Sequence, residues 1–285
     1  MVGSLHNLQE QIWRVQDLPV REDVAKRAAE LSLDPEIRAD VVAHELERDP
    51  FLSLQVVRLA NSERFGGGRV ANVLDAIIIL GMPTLRRFLA IARTYPCITD
   101  GDYAFPFRAR STWVTAYAFS AATALIVGSG SPENRLEARS VAHLLQAGRL
   151  TLSILVENPR RNAPDTSQNL RIPLVVAESE LWGVHHGEAA ALLGEAWGLP
   201  ASWGRVCRSY AASRVPQNEA WLWASLRLAG FLVQTVGLDY GFQDRKIPCP
   251  LALETLGWTT DDVDVILNEF VTQVDEYERG PGRAA

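Results

Sequence analysis

Between Val56 and Gly81 the chain reads VVRLANSERFGGGRVANVLDAIIILG. An apolar stretch with helical spacing runs into an Asn-Ser pair, a Phe-Gly turn follows, and a second apolar stretch ends on glycine. Two helices joined by so short a turn must fold back on neighbouring elements, because helices of this length need tertiary packing to persist. The same construction recurs on either side. Asp34-Pro35 and Asp49-Pro50 each pair an N-cap residue with proline at the first helical position. Ile37, Val41, Val42 and Leu46 form one face after the first pair, and Leu52, Val56, Leu59 and Ala60 after the second. Val70, Val73, Ile77 and Leu80 make the next stripe, and Gly81 suits the residue after a helix end. Pro83 restarts the chain, with Leu85, Phe88, Leu89 and Ala92 facing inward. The predicted fold class is all-α.

Further on, Tyr95 to Arg108 carries Pro96, Gly101 and Pro106 and reads as a link between two lobes. The expected organisation is an N-terminal helical lobe over 1–107, a second helical lobe over 108–212, and a C-terminal helical extension over 213–285 that packs on the second lobe. The uncharged run Thr112 to Gly128 is shorter than the roughly 20 residues of a membrane-spanning helix and rich in Ala, Ser and Thr, so a buried central helix is expected. Ser131-Pro132-Glu133 opens the next helix, with Ala138, Val141, Ala142 and Leu145 on it. Asn158 to Pro173 is polar and loop-like, an ordered flap or a mobile insertion. Helices are then predicted through Glu180, over Trp203 to Tyr210, and over Glu219 to Val236. Thr259 with Asp262 three residues on marks the start of a last helix faced by Val263, Ile266, Leu267, Phe270, Val271 and Val274. The tail after Arg279 is expected to fray. No alternating strand pattern is present, although Arg171 to Val176 would suit a short extended piece.

Composition narrows the function. Of 285 residues 47% are hydrophobic and 22% charged, with a formal net charge of −6, so bulk charge draws the protein neither to nucleic acid nor to an anionic membrane. No recognition helix with base-reading side chains or aromatic-basic platform is visible. Lys26 and Lys246 are the only lysines, so positive charge is almost all arginine. Cys97, Cys207 and Cys249 lie far apart and form neither a disulfide framework nor a zinc site. With no basic region and apolar core in MVGSLHNLQEQIWRVQ, a cytoplasmic location is expected.

Several blocks together resemble the HDOD family, regulatory all-helical domains built on the HD phosphohydrolase fold. They are Leu59-Ala60-Asn61-Ser62, Phe65-Gly66, Ala76 with Leu80-Gly81, VAHLLQAGRL over 141–150, and LWGVHHGEAAALLGEAWGLP over 181–200. The resemblance spans roughly Leu18 to Ala212. It implies a two-lobed helical bundle, an N-terminal subdomain plus a degenerate HD-like subdomain, acting in bacterial signal transduction. Placing Gly148-Arg149-Leu150 on the family's Gly-Lys-Leu puts Leu145 and Gln146 where the His-Asp dyad stands. The upstream His then falls at Thr115 and the late Asp at Gly230, and only His186 keeps a family histidine. A divalent ion needs several converging oxygen or imidazole ligands, which this set does not supply, and without one no water is activated near neutral pH. The resemblance therefore implies a non-catalytic module with no metal and no cofactor, which binds a protein partner or a small signal.

The partner surface is expected around Asn61, Ser62, Arg64, Phe65 and Arg69, or in the cleft between lobes; Asn61 and Ser62 equally suit a structural turn. Two rivals stand beside it: a nucleotide or cyclic-dinucleotide receptor using Arg58, Arg64, Arg69, Arg86, Arg87 and Arg93, and a phosphohydrolase with an atypical ligand set. Gly66-Gly67-Gly68 lacks the Lys-Ser/Thr of a phosphate loop. His185 and His186 point about 100° apart on a helix, so they do not share one metal; one is expected to bond backbone or a carboxylate and the other to be solvated. His143 is expected to be a satisfied polar group at the lobe interface. Apolar residues exposed on the last helix would allow a homodimer.

Overall fold

Proline and glycine punctuate the first part of the chain as expected, with one exception. The computed structural model describes residues 2–65, 70–92, 94–95, 109–131, 134–155, 174–238 and 247–279. The expectations placed on Arg69, Arg93, the 158–173 segment and the tail fall outside these residues. In order come α1 (Val2–Trp13), β1 (Val20–Arg21), α2 (Glu22–Leu31), α3 (Ala39–Leu46), α4 (Pro50–Ala60), α5 (Val73–Leu80), α6 (Met82–Ile91) and β2 (Thr94–Tyr95). Asp49 caps α4, its Oδ1 accepting the N–H groups of Phe51 and Leu52 at 2.9 and 3.1 Å. Its Oδ2 takes the Arg21 N–H at 2.5 Å and so ties β1 to the same corner. Asn72 caps α5, and Gly81 leaves that helix at φ +70°, a conformation that favours glycine.

The exception is Asp34-Pro35. The Asp34 carboxylate accepts the Glu36 N–H at 2.9 Å, which closes a local turn, and α3 begins only at Ala39. Ile37 therefore precedes the helix, and Val41 is 43% exposed rather than on the inner face. The parallel pairing of Val20 with Thr94 and Arg21 with Tyr95 was not expected; two residues are too few for alternation to be read.

The second part comprises α7 (Ala109–Gly130), α8 (Arg135–Leu155), α9 (Leu174–Trp182), α10 (His186–Ala196), α11 (Ala201–Ser209), α12 (Ala220–Thr235), α13 (Pro250–Leu256) and α14 (Thr260–Arg279). Leu174 to Val176, the described part of the stretch expected to be extended, are helical. The helix α7, which carries the uncharged run, is central, packed against α4, α8, α12 and α14. It is also the one helix among the described residues long and apolar enough to cross a membrane, yet 78% of that stretch is buried inside the protein.

Two glycines set the close crossings that build the site. A Cβ on Gly148 of α8 would lie 2.3 Å from the His186 carbonyl oxygen and 2.5 Å from the Ala190 nitrogen of α10. A Cβ on Gly187 would lie 2.2 Å from the Cys207 carbonyl oxygen of α11. Backbone-to-backbone approach of this kind admits no side chain.

One apolar core runs from Ile12 to Val274. The helix α1 packs on α8 and α10. Past its end, the Val15 carbonyl accepts the Trp197 indole N–H at 2.7 Å, and Arg58 lies over the same indole at 4.6 Å. At the other end α14 buries Val263, Ile266, Phe270, Val274 and Tyr277, whereas Val271 is 39% exposed. The Tyr277 ring stacks on Tyr117 of α7 at 3.8 Å; its hydroxyl accepts from Arg21 Nη1 at 2.7 Å and donates to the Arg48 carbonyl at 3.0 Å.

Candidate functional site

The crossing of α8 over α10 places Arg149 opposite His186, and α9 brings Glu178 to the same point. His185, not His186, caps α10: its Nδ1 accepts the Gly187 N–H at 3.1 Å while Glu188 Oε2 reaches back to the His185 N–H at 3.2 Å. This capping box turns the next side chain inward. His186 is 1% exposed and the His185 side chain 13% exposed, so neither histidine is the solvated one of the expected pair.

Glu178 Oε2 accepts both the backbone N–H of His186 at 2.9 Å and its Nδ1 at 2.5 Å. Arg149 Nη2 lies 3.4 Å from His186 Nε2, and Arg149 Nη1 donates to Gln146 Oε1 at 3.2 Å. These bonds fix the tautomer. A carboxylate only accepts, so Nδ1 carries the proton; a guanidinium only donates, so Nε2 presents its lone pair to it. Burial pushes the imidazole down to about 4, and Arg149 adds to that fall while Glu178 opposes it. Burial alone would raise the Glu178 carboxyl, but its contacts with His186 and Arg149 outweigh it and hold the group below its usual range. At neutral pH the cluster is a carboxylate, a neutral imidazole and a guanidinium.

The Tyr210 ring, 5.4 Å from the His186 ring and 6.2 Å from that of Phe119, walls this cluster. A Cβ on Gly230 would meet the Tyr210 hydroxyl oxygen at 2.6 Å, so the space a side chain at 230 would need is filled by a phenol. Of the expected positions, Gln146 and His186 are brought together through Arg149, and Gly230 joins through Tyr210. Thr115 is turned elsewhere, its hydroxyl donating to the Leu238 carbonyl at 3.1 Å beyond the end of α12. Leu145 is fully buried. Among the described residues Gln146 Nε2 and Glu178 Oε1 are buried with no hydrogen-bond partner, and so is His143 Nε2, contrary to the satisfied role expected for that histidine.

The divalent ion of the HD fold does not fit this donor set. One imidazole, one carboxylate and one amide oxygen would have to converge on it, but the imidazole lone pair faces a fixed cation at 3.4 Å. Among the described residues no group of three or more His, Cys, Asp and Glu side chains is gathered for a metal. Arg149, Glu178 and Tyr210 were missed as site residues. Arg149 was within reach, since it follows Gln146 by three positions and shares its helix face; Glu178 and Tyr210 are assembled only by the fold.

In the first lobe Asn61 is 4% exposed, and its amide is occupied within the loop it closes. Its Nδ2 donates to the Val57 and Val70 carbonyls at 3.1 and 2.9 Å, and its Oδ1 accepts the Val70 N–H at 2.9 Å. It is a loop staple and presents nothing to a partner. Ser62 donates to the Leu59 carbonyl at 2.7 Å and is half-buried; Phe65 is half-buried against the core under an exposed Arg64, whose guanidinium lies 5.4 Å from its ring. Arg58 is bound to Gln16 and Trp197, and Arg86 donates to the Ser32 carbonyl at 2.5 Å. Two of the arginines expected to receive a phosphate thus serve the protein's own packing.

The sequence profile of the HDOD domain matches residues 18–212. No curated protein matches the chain significantly. Among solved structures, the MmoQ response regulator of Methylococcus capsulatus is similar at 21% identity and a TM-score of 0.66, over 88% of this chain and 98% of that one. A virulence factor of Campylobacter jejuni aligns at 16% identity and a TM-score of 0.65, over 94% and 99% of the two chains. An HDOD domain protein of Geobacter sulfurreducens aligns at 20% identity and a TM-score of 0.55, over 97% and 99%.

Proposed function

Because the chain belongs to the HDOD family, we propose that it is a regulatory module of a signalling pathway, which works by binding and performs no hydrolysis. The observation that carries this reading is the guanidinium of Arg149 set against the lone pair of His186, the nitrogen a catalytic ion would need. With Tyr210 filling the space beside Gly230 and Leu145 apolar, these two positions offer a catalytic ion no ligand. The likeness of the fold to a response regulator supports the signalling context.

Binding then falls to the protein's outer surface. The exposed end of the loop after α4, Glu63 and Arg64 with Phe65 beneath them, is a part of the Val56 to Gly81 block that faces solvent. A protein partner docked there would read a loop whose shape Asn61 holds from inside.

The test is enzymatic. Supplied with Mn2+ or Zn2+ and a panel of phosphomonoesters and linear and cyclic phosphodiesters, the protein should give no turnover that depends on His186. Hydrolysis abolished by His186→Ala would overturn the reading.

A further inference from the structure

We infer that Arg149 is a built-in replacement for the metal ion: a covalently attached cation gripped by Gln146 and His186, two residues at the fold's ligand positions, and charge-compensating Glu178. The inference rests on the reading above, that these positions hold no ion.

Four observations carry it. The two terminal nitrogens of Arg149 reach Gln146 Oε1 at 3.2 Å and His186 Nε2 at 3.4 Å, so two polar groups of the vestigial set, Gln146 and His186, converge on one guanidinium. Glu178 is buried and ionised, and a buried carboxylate persists only where a positive charge answers it. His186 is not that charge, because its Nε2 faces the Arg149 guanidinium at 3.4 Å and so presents a lone pair rather than a proton; His185, the neighbouring histidine, points instead toward Glu188 at 3.9 Å. Finally, the backbone of Arg149 is held in register by its neighbour Gly148, whose contact with His186 and Ala190 allows α8 no slack. A guanidinium stays protonated throughout the physiological range, so a site compensated in this way is independent of metal supply and of metal redox state, and remains folded where a metalloprotein would be stripped.

A double-mutant cycle tests this. Arg149→Met should lower the thermal midpoint by several degrees, because it strands Glu178. Adding Glu178→Gln removes the charge that needs an answer, so the double variant should melt higher than Arg149→Met alone. A double variant that melts no higher, with the two losses simply adding, overturns the inference. If Arg149→Met does not fold, recovery of a folded double variant is the expected result, and failure of both overturns it. A separate arm adds Zn2+ to the wild-type protein while the His186 ring nitrogens are followed by 15N NMR. Unchanged signals with the Nδ1–H tautomer are expected. A saturable shift of His186 Nε2 at one ion per chain would defeat the proposed function as well, whereas an unrescued double variant without any zinc effect would defeat the inference alone.

Discussion

His143 and His186 are both buried imidazoles, and both are pushed down from their ordinary value, chiefly by burial. Arg139 lowers His143 further; Arg149 and His185 lower His186 further, while Glu178 opposes the fall. In the unfolded chain each titrates near its usual pKa of about 6.5. Between there and about 4 the unfolded chain binds more protons than the folded one, so stability must fall as pH falls through that window. His186 alone accounts for a loss on the order of 3 kcal/mol once the window is crossed. Urea titrations at pH 7, 6 and 5 should show it, and a flat profile would contradict the buried neutral state. His143 differs from His186 in that its Nε2 has no hydrogen-bond partner among the described residues. His143→Leu is therefore expected to be at least as stable as wild type at pH 7, with a margin that widens at pH 5; a loss above about 1 kcal/mol at pH 7 would point to a missed partner. Asn61→Ala should cost about 2–3 kcal/mol, because it abandons the buried Val70 N–H and C=O. At this scale the sequence was read unevenly. His186 and Gln146 were legible as positions in a motif, but the burial of Asn61 and the turning of Thr115 toward Leu238 depend on neighbours far away in sequence, which no local pattern encodes.

Helix starts were the most legible elements, since a cap acts within three or four residues: Asp49 and the Thr259–Asp262 pair both do what their spacing predicts. Asp34 failed for the same local reason, because its carboxylate reached Glu36 and closed a turn instead. Helix crossings were not legible, since Gly148 and Gly187 look like ordinary glycines until α10 lies against α8 and α11. Gly148→Ala should cost about 3 kcal/mol or more, or prevent folding, because both atoms it would strike are backbone. A variant within about 1 kcal/mol of wild type by denaturant titration would mean that α8 and α10 are further apart. The attachment of α14 rests on Tyr277. Tyr277→Phe keeps the stack on Tyr117 but leaves the Arg21 guanidinium and the Arg48 carbonyl without their shared hydroxyl. A loss of about 1–2 kcal/mol is expected, with faster amide exchange along α14; an unchanged exchange pattern would show that the hydroxyl does not hold the helix.

For the molecule as a whole, the all-α class and the family were legible because several independent blocks occur in the right order over 18–212. The electrostatic layout was not. Between Thr260 and Arg279 seven acidic residues face one arginine, so α14 carries −6, as much as the entire chain. Two such helices repel at close range, so association of two copies through α14 should be undetectable by light scattering at low salt; a dimer at low salt that depends on Val265 and Val271 would contradict this. The central claim concerns the site. An ion bound at 100 times its dissociation constant would add about 2.7 kcal/mol of stability. The most direct measurement is therefore a thermal-melt titration of wild-type protein with Mn2+, Fe2+ and Zn2+. The midpoint is expected not to rise, and a rise that saturates at one ion per chain and disappears in His186→Ala would contradict the account.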